Sequence, residues 1–322
     1  MRTLAHATVA LASLVTLATL SSGCTAFERS AIDGSIKSAF LEINTPDSGV
    51  TKLADDLYTF KWFGYRTAFV TTPEGVIVFD PLNADAATML SREIARVAPN
   101  PAIRYVIYSH NHADHEEGAR QLGGNPVIVA HANAAREIAA RPDPAVLPPT
   151  ETFDGEEKDI TLGGVTLKLL HVAGAHTDGM VMVYIPHRKA LYTVDMVAVK
   201  MVPPFGSPFN SYHGVLAAID RMQALDYETL IPGHGRYGTK QDVTDFGVLL
   251  HDMESALAKA SVDHGMSPMR GNPAALTNPK VGEVLFAATD ALQPKYGSWQ
   301  GWDHNSLQAL QWVFLYGMYM NE

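Results

Sequence analysis

One hexapeptide constrains this chain more than any other feature. Residues 110–115, His-Asn-His-Ala-Asp-His, place four strong metal-ligand side chains in a single turn. Residues 104–108 before it are mostly β-branched or aromatic and predict a buried strand. Residues 116–122 after it predict a short helix that ends at two glycines. A rigid strand that ends in a ligand-rich loop is a typical cation-binding arrangement in α/β proteins.

The spacing within the hexapeptide indicates more than one ion. His110 and His112 are two residues apart, so both imidazoles can point the same way from extended backbone. Asp114 and His115 follow the bend and face a different point. The turn can therefore supply two neighbouring metal ions. Imidazole and carboxylate ligands without sulfur favour zinc, with manganese or iron as alternatives.

Further candidate residues lie at the ends of predicted strands or in glycine-containing turns. They are Asp80 after strand 75–79, His176 in Gly174–Thr177, Asp195 after strand 190–194, and His234 in Pro232–Gly235. Taken in this order with the hexapeptide and Gly118, these motifs resemble the signature of the metallo-β-lactamase-fold hydrolases. The resemblance extends from about residue 57 to about residue 238.

The resemblance implies a fold and a set of ligands. The fold is α/β, a four-layer αβ/βα sandwich over residues 56–238. The implied ligands are His110, His112 and His176 for one metal ion, Asp114, His115 and His234 for the other, and Asp195 bridging the two. The resemblance implies that Asp80 accepts the second N–H of a ligand histidine; from its position it could also, or instead, cap the helix after it.

The implied chemistry is hydrolysis. Two zinc ions would share a bridging hydroxide, which Asp114 could orient, and would lower its pKa to about 7. An aspartate at position 195 resembles the lactonase, glyoxalase-II and phosphodiesterase branches, because family members that open β-lactams usually carry cysteine or serine there. We therefore expect a small ester or lactone as substrate. A β-lactam, a phosphoester, and iron-dependent oxygenase or reductase chemistry stay open as alternatives.

Two features near the candidate site allow two interpretations each. The apolar, proline-rich segment Met196–Phe209 follows Asp195 and is either a wall of the substrate site or a buried connection. Tyr212 and His213 come next and either donate to a developing oxyanion or simply begin a helix. Nucleic acid is excluded as a partner, because the formal net charge is −10 and no basic run stands out.

The N-terminus is typical of an exported bacterial protein. Residues 1–26 have an arginine, an apolar run and small residues, which predict a signal peptide. Cleavage before Cys24 would make a lipoprotein of the periplasm or outer membrane, held there through a lipid on that cysteine; cleavage after Ala26 would release the protein. Cys24 is the only cysteine, so the mature fold contains no disulfide. Residues 27–55 are expected to form a tether and lead-in segment.

Residues 239–322 predict a C-terminal helical extension, with helices at about 241–262, 279–292 and 305–320. The last is apolar on nearly all faces and must be buried, either on the main domain or in a homodimer. Trp299, Trp302 and His304 precede it and either cap a substrate pocket or belong to the core.

Overall fold

Two β-sheets, formed by successive parts of the chain, make the centre of the fold. The computed structural model describes residues 47–202, 211–266 and 278–320. The predicted signal peptide, with Cys24, lies outside these residues. The first sheet has the order β1-β2-β3-β4-β5-β6-β7. Its strands are β1 Ser48–Lys52, β2 Leu57–Trp62, β3 Tyr65–Thr72, β4 Gly75–Phe79, β5 Ile103–Ile107, β6 Val127–His131 and β7 Glu151–Phe153.

The second sheet has five strands in the order β12-β11-β10-β9-β8. They are β8 Glu157–Leu162, β9 Val165–His171, β10 Val181–Ile185, β11 Ala190–Val194 and β12 Thr229–Pro232. In this sheet β11 and β12 are parallel, and the other neighbours are antiparallel. In the first sheet strands β4 to β7 are parallel to one another. The carboxyl ends of these parallel strands carry the candidate ligand loops.

Helices cover the outer faces. They are α1 Ala84–Val97, α2 Ala113–Glu116, α3 Ala132–Ala140, α4 Tyr212–Ala224, α5 Lys240–Asp263, α6 Val281–Tyr296 and α7 Trp302–Trp312, the last continued by π-helical turns Val313–Met320. Short 3-10 segments occupy Glu117–Leu122 and Pro186–Arg188. None of the helices in the described ranges is long and apolar enough to cross a bilayer.

Strand β4 shows how the layers form. Val76 and Val78 join a core that contains buried residues of α1 and α3, whereas Ile77 and Phe79 join the core shared with the second sheet. Alternate residues of a strand point to opposite faces, so one strand serves both cores. The predicted four-layer αβ/βα sandwich is confirmed.

Three strands were not predicted. Ser48–Lys52 falls inside the expected tether 27–55 but pairs with β2 in register from Ser48↔Trp62 to Lys52↔Tyr58. The tether prediction is therefore wrong for this segment. β7 and β8 are also absent from the prediction. All three are edge strands and carry polar residues, so none shows a strong apolar alternation.

The C-terminal helices pack on the main domain. Leu310, Trp312 and Phe314 are buried in the same core as the second sheet and α4. Trp302 is buried as well, stacks on Tyr296, and donates its indole N–H to Gln293. Trp302 is thus a core residue and does not cap a pocket. A homodimer through these helices stays a prediction.

Candidate metal centre

His110 and His115 are the most buried of the candidate ligands, and His110 shows how the centre is built. It follows β5, and the N–H of the preceding residue, Ser109, donates to Asp80 Oδ1 at 2.7 Å. The Ser109 hydroxyl lies 2.8 Å from His110 Nδ1. His110 Nε2 is left pointing inward, buried and without a hydrogen-bond partner among the described residues.

A first group of ligand atoms surrounds this nitrogen. One ligand atom each from His110, His112, His176 and Asp195 lie within 4.8 Å of one another. His176 Nε2 is 3.1 Å from His112 Nδ1 and 3.6 Å from Asp195 Oδ2. His110 Nε2 is 3.8 Å from the same carboxylate oxygen. This is the first predicted ligand set together with its predicted bridge.

A second group adjoins the first through Asp195. It comprises His115, Asp195 and His234. His115 Nε2 is 3.3 Å from Asp195 Oδ2, and His234 Nε2 is 3.2 Å from Asp195 Oδ1. Asp195 is therefore common to both groups, and its two oxygens lie against histidines from separate parts of the chain.

The backbone around Asp195 is shaped for this position. Val194 has φ 42°, a left-handed conformation that β-branched residues rarely adopt. A Cβ at Gly233 would lie 2.7 Å from Asp195 Oδ1, so only glycine fits beside the carboxylate. Strands β11 and β12 thus bring Asp195 and the His234 turn into direct contact.

The donor set fits metal cations. Three inward-facing atoms, His110 Nε2, His115 Nε2 and Asp195 Oδ1, are buried without a hydrogen-bond partner in the described part of the chain. Buried polar atoms are normally satisfied, so a group of such donors facing one point suits an ion. Two ions would occupy the two groups and share Asp195.

Electrostatics leave His110 and His176 ready to bind an ion, whereas an ion at His115 would have to displace a proton. Burial lowers the pKa of His176 to about 4 and that of His110 well below its usual value, so both offer neutral lone pairs. Burial opposes charge on His115 too, but Asp195, Asp80 and Asp114 outweigh it and raise the pKa of His115 to about 9. Against its burial, His115 and His234 hold the pKa of Asp195 well below the ordinary range.

Asp114 stands apart from the compact groups. Its side chain is half exposed, and Oδ2 lies 3.8 Å from His115 Nε2. Its carboxylate accepts a hydrogen bond from Tyr65; burial and this carboxylate raise the pKa of the phenol to about 12. The roles of Asp114 as a metal ligand and as an orienting base remain predictions.

Asp80 lies beneath the second group. It is fully buried, and its Oδ2 accepts the Tyr192 hydroxyl at 2.7 Å and lies 3.9 Å from His115 Nδ1. It therefore faces a ligand histidine. The alternative role as a helix cap is wrong, because Asn83 caps α1 by accepting the Ala86 N–H at 3.0 Å.

Tyr212 and His213 do not join the ligand groups. The Tyr212 hydroxyl donates to Glu254 Oε2 at 2.9 Å, inside the interface between α4 and α5, and His213 is exposed. The oxyanion role proposed for Tyr212 is wrong, since its only polar atom is committed to Glu254. Both residues begin α4, whose cap is Ser211. The described part of segment 196–209, residues 196–202, is largely buried.

Two residues near the centre were not predicted. The Tyr65 ring lies edge-on to His234 and His115, with centroids 4.9 and 5.7 Å away. The Glu116 carboxyl is buried, which raises its pKa to about 7. An aromatic residue in a hairpin and an acid after a ligand motif give no distinctive signal in one sequence.

The fold and the paired ligand groups define a metal-dependent enzyme. The sequence model described as the metallo-beta-lactamase superfamily matches residues 61–234. The chain belongs to this superfamily.

One relative of known activity matches part of the chain in sequence. The alpha subunit of 2,4-dinitroanisole O-demethylase from Nocardioides sp. (strain JS1661) is 28% identical over 176 residues, 53% of this chain and 52% of that subunit. The chain thus spans about half the length of this relative.

Solved structures superpose with similar scores. A metallo-beta-lactamase from Pontibacter korlensis gives a TM-score of 0.57 at 21% identity, covering 64% of this chain and 99% of that one. A double mutant of the sec-alkyl sulfatase PisA1 gives a TM-score of 0.59 at 17% identity, covering 84% of this chain and 50% of that one. The structure of VMB-1 gives a TM-score of 0.55 at 16% identity, covering 64% of this chain and 97% of that one. These likenesses show the fold.

Proposed function

We propose that this protein is an exported dinuclear zinc hydrolase that cleaves a small ester or lactone. The observation that carries the proposal is the position of Asp195, whose carboxylate lies within 3.8 Å of one histidine of the first group and 3.3 Å of one of the second. Five histidines and a carboxylate, with no sulfur, are a donor set that suits zinc. When bound, two such ions would make water nucleophilic near neutral pH and polarise the scissile oxygen.

The chain's own residues have separate tasks in this proposal. His110 after β5 and Asp195 after β11 would fix the ions, because the side chains, 0% and 12% exposed, have little freedom to move. Asp114 is half exposed, held by the Tyr65 hydroxyl, and available to orient water or a substrate proton. Tyr65 excludes solvent from the His115 and His234 side of the centre.

The substrate class is argued from the surroundings of the centre. Met196 to Val202 follow Asp195 directly and are apolar except for Lys200. The names of a sequence relative, an O-demethylase, and of a structural neighbour, a sec-alkyl sulfatase, both point to substrates with an alkyl group on oxygen. Both features support a small and largely apolar substrate with a cleavable bond to oxygen.

The O-demethylase relative favours a second candidate, cleavage of an aryl methyl ether. Such a reaction can be hydrolytic and release methanol, or oxidative and release formaldehyde at the expense of dioxygen and a reductant. The oxidative form would correspond to the iron-dependent oxygenase alternative. The product carbon compound therefore distinguishes the two chemistries in one assay.

The test combines metal content with a substrate panel. Purified protein is analysed for metals, stripped, and reloaded with zinc, manganese or iron(II). Each form is assayed on lactones, aryl esters, sulfate and phosphate esters, a β-lactam and 2,4-dinitroanisole. We expect two zinc ions per chain and fastest turnover of a lactone or aryl ester without dioxygen. Activity confined to the iron form with dioxygen and a reductant would contradict the proposal.

Export is a separate part of the proposal with its own test. We expect the full chain, expressed in a Gram-negative host, to fractionate with membranes and to incorporate labelled fatty acid. The Cys24→Ser variant should lose the label and become soluble in the periplasm. An unlabelled, soluble wild-type protein would instead support ordinary cleavage after Ala26.

A further inference from the structure

Arg66, at the second position of β3, is a buried cation without an acidic partner among the described residues. Its relative exposure is 7%. No carboxylate lies within ion-pair distance of its guanidinium in the described ranges. A buried charge is costly unless hydrogen bonds or a ring replace the lost water, so its contacts indicate what it does.

Those contacts converge on the turn that carries His234. Arg66 Nη1 donates to the Pro232 carbonyl at 3.2 Å, and Nη2 donates to the Gly235 carbonyl at 2.7 Å. The backbone N–H of Arg66 donates to the Gly233 carbonyl at 2.6 Å. One residue therefore binds the carbonyls on both sides of His234.

An aromatic ring completes the environment of the guanidinium. Arg66 Cζ lies 4.1 Å from the centre of the Tyr237 ring. The Tyr237 hydroxyl shares a hydrogen bond of 2.6 Å with Thr59 Oγ1 on β2. A guanidinium over a ring face is stabilised when water is excluded, so Tyr237 offsets part of the cost of burial.

The neighbouring backbone sets the His234 ring. His234 Nδ1 donates to the Gly64 carbonyl at 2.9 Å, which leaves the Nε2 lone pair facing Asp195 Oδ1 at 3.2 Å. A hydrogen bond to the other ring nitrogen is how proteins select the tautomer of a ligand histidine. We propose that Arg66 is the positioning residue of the second ion: it clamps turn 232–235 so that His234 meets Asp195.

Geometry and charge make opposite predictions for Arg66. A positive charge near a cation site weakens metal binding by repulsion, whereas a fixed turn strengthens it. The planar guanidinium can bind two carbonyls at once, and a lysine ammonium is a point charge on a flexible stem. Arg66→Lys therefore keeps the charge and loses the fork, and Arg66→Met loses both.

The experiment measures the affinity of each ion separately. Zinc content is followed by mass spectrometry during titration with a chelator, and cobalt(II) spectra report the second site against a His234→Ala reference. Both Arg66 variants should lose at least about tenfold in second-ion affinity, a loss typical of outer partners of metal ligands. First-ion affinity should stay within about twofold. Arg221→Met, which removes donors to the carbonyls of His171 and Glu156, is the matched control and should leave the ratio of the two ion affinities unchanged.

Several outcomes would overturn the proposal. If the affinities for both ions fall equally, or neither falls, Arg66 has only a general structural role. Retained second-ion affinity in Arg66→Lys, with gained affinity in Arg66→Met, would show that charge and not the clamp governs this ion. If Arg66→Met fails to fold, Tyr237→Leu can replace it, because it removes the ring beneath the guanidinium. This variant should lose affinity for the second ion only. An unchanged affinity for that ion would again refute the assignment. These readouts do not depend on which substrate the protein hydrolyses.

Discussion

At the scale of the residue, Asp195 is the side chain on which the centre depends. Its oxygens contact histidines that lie on three separate loops of the chain, after β5, after β9 and after β12. Gly233 leaves no space for a larger neighbour, and Val194 adopts a strained backbone beside it. Such strain persists only where the surrounding structure fixes it, and it is common at functional sites.

Asp195→Asn tests the shared carboxylate with almost no change of shape. The amide is neutral and a weaker ligand, so we expect the variant to hold at most one tightly bound ion. Turnover should fall by at least about 100-fold, the upper end of what outer partners of metal sites contribute. Metal analysis and steady-state kinetics measure both effects. Asp159→Asn, which alters an exposed ion pair on β8, is the control; two tightly held ions in Asp195→Asn would refute the bridge.

The ligands could be predicted from sequence because each lies in a short motif behind a strand. Three of them, His110, His112 and His115, occupy one turn, and His176, Asp195 and His234 each follow a readable strand or a glycine turn. Gly64, Tyr65 and Arg66 could not be predicted, since their role depends on contact with residues about 170 positions away. No local pattern records which hairpin will meet which loop.

At the scale of the element, the start of α3 is joined to the end of β9 by two stacked imidazoles. The rings of His131 and His171 lie 3.5 Å apart and 8° from parallel. His131 Nδ1 caps α3 by accepting the Asn133 N–H, and His171 Nε2 donates to the Asp178 carbonyl. Asp178 belongs to the loop that carries His176, so this stack connects the two sheets near the metal centre.

This stack predicts a pH dependence of stability. Burial and the facing His171 ring lower the pKa of His131 below its usual 6.5 in the folded protein. The unfolded chain then binds the proton more readily than the folded protein. The stability that neutral His131 contributes is therefore fully present above about pH 6.5 and is lost as pH falls through the folded-state pKa. Other charges facing the ring are Asp154 and Arg136.

Urea unfolding of metal-free protein at pH 8 and pH 5 measures this effect. His131→Asn keeps a capping side chain but cannot titrate. We expect the wild type to lose more unfolding free energy than the variant between these pH values. Equal losses would show that His131 contributes nothing to the acid sensitivity.

Strong apolar elements were predicted with bounds close to those observed, and polar edge strands were missed. β4 and β11 agree residue for residue with the predicted strands 75–79 and 190–194, because their apolar pattern is clear. β1, by contrast, contains one large apolar residue, Val50, and is held by backbone pairing to β2. Backbone pairing leaves no trace in side-chain pattern.

At the scale of the whole molecule, the C-terminal helices complete the core of the second half. Trp312 lies 5.7 Å from Tyr212 at ring centres, and Gly317 packs directly on the same tyrosine. The sequence predicts that this last helix is buried, because it is apolar on nearly all faces. It cannot show that Tyr212 is the residue it covers, which is why an oxyanion role for Tyr212 was plausible from sequence.

Gly317→Ala tests this packing. A Cβ at Gly317 would lie 2.9 to 3.2 Å from three atoms of the Tyr212 ring, so we expect destabilisation of about 1 to 3 kcal/mol from overpacking. Gly282→Ala is the matched control: it is also helical, has nothing within 4 Å of the new Cβ, and should gain up to about 1 kcal/mol. Thermal or urea unfolding distinguishes them. An unchanged unfolding free energy in Gly317→Ala would contradict the packing of the C-terminal segment on Tyr212.

The central claim is that two ions share Asp195, and anomalous diffraction from zinc-loaded crystals tests it most directly. We expect two peaks about 3.5 to 4 Å apart, on either side of the Asp195 carboxylate. One should lie about 2.0 to 2.1 Å from nitrogens of His110, His112 and His176, and the other at that distance from His115 and His234. A single peak, or peaks that do not contact Asp195, would contradict it.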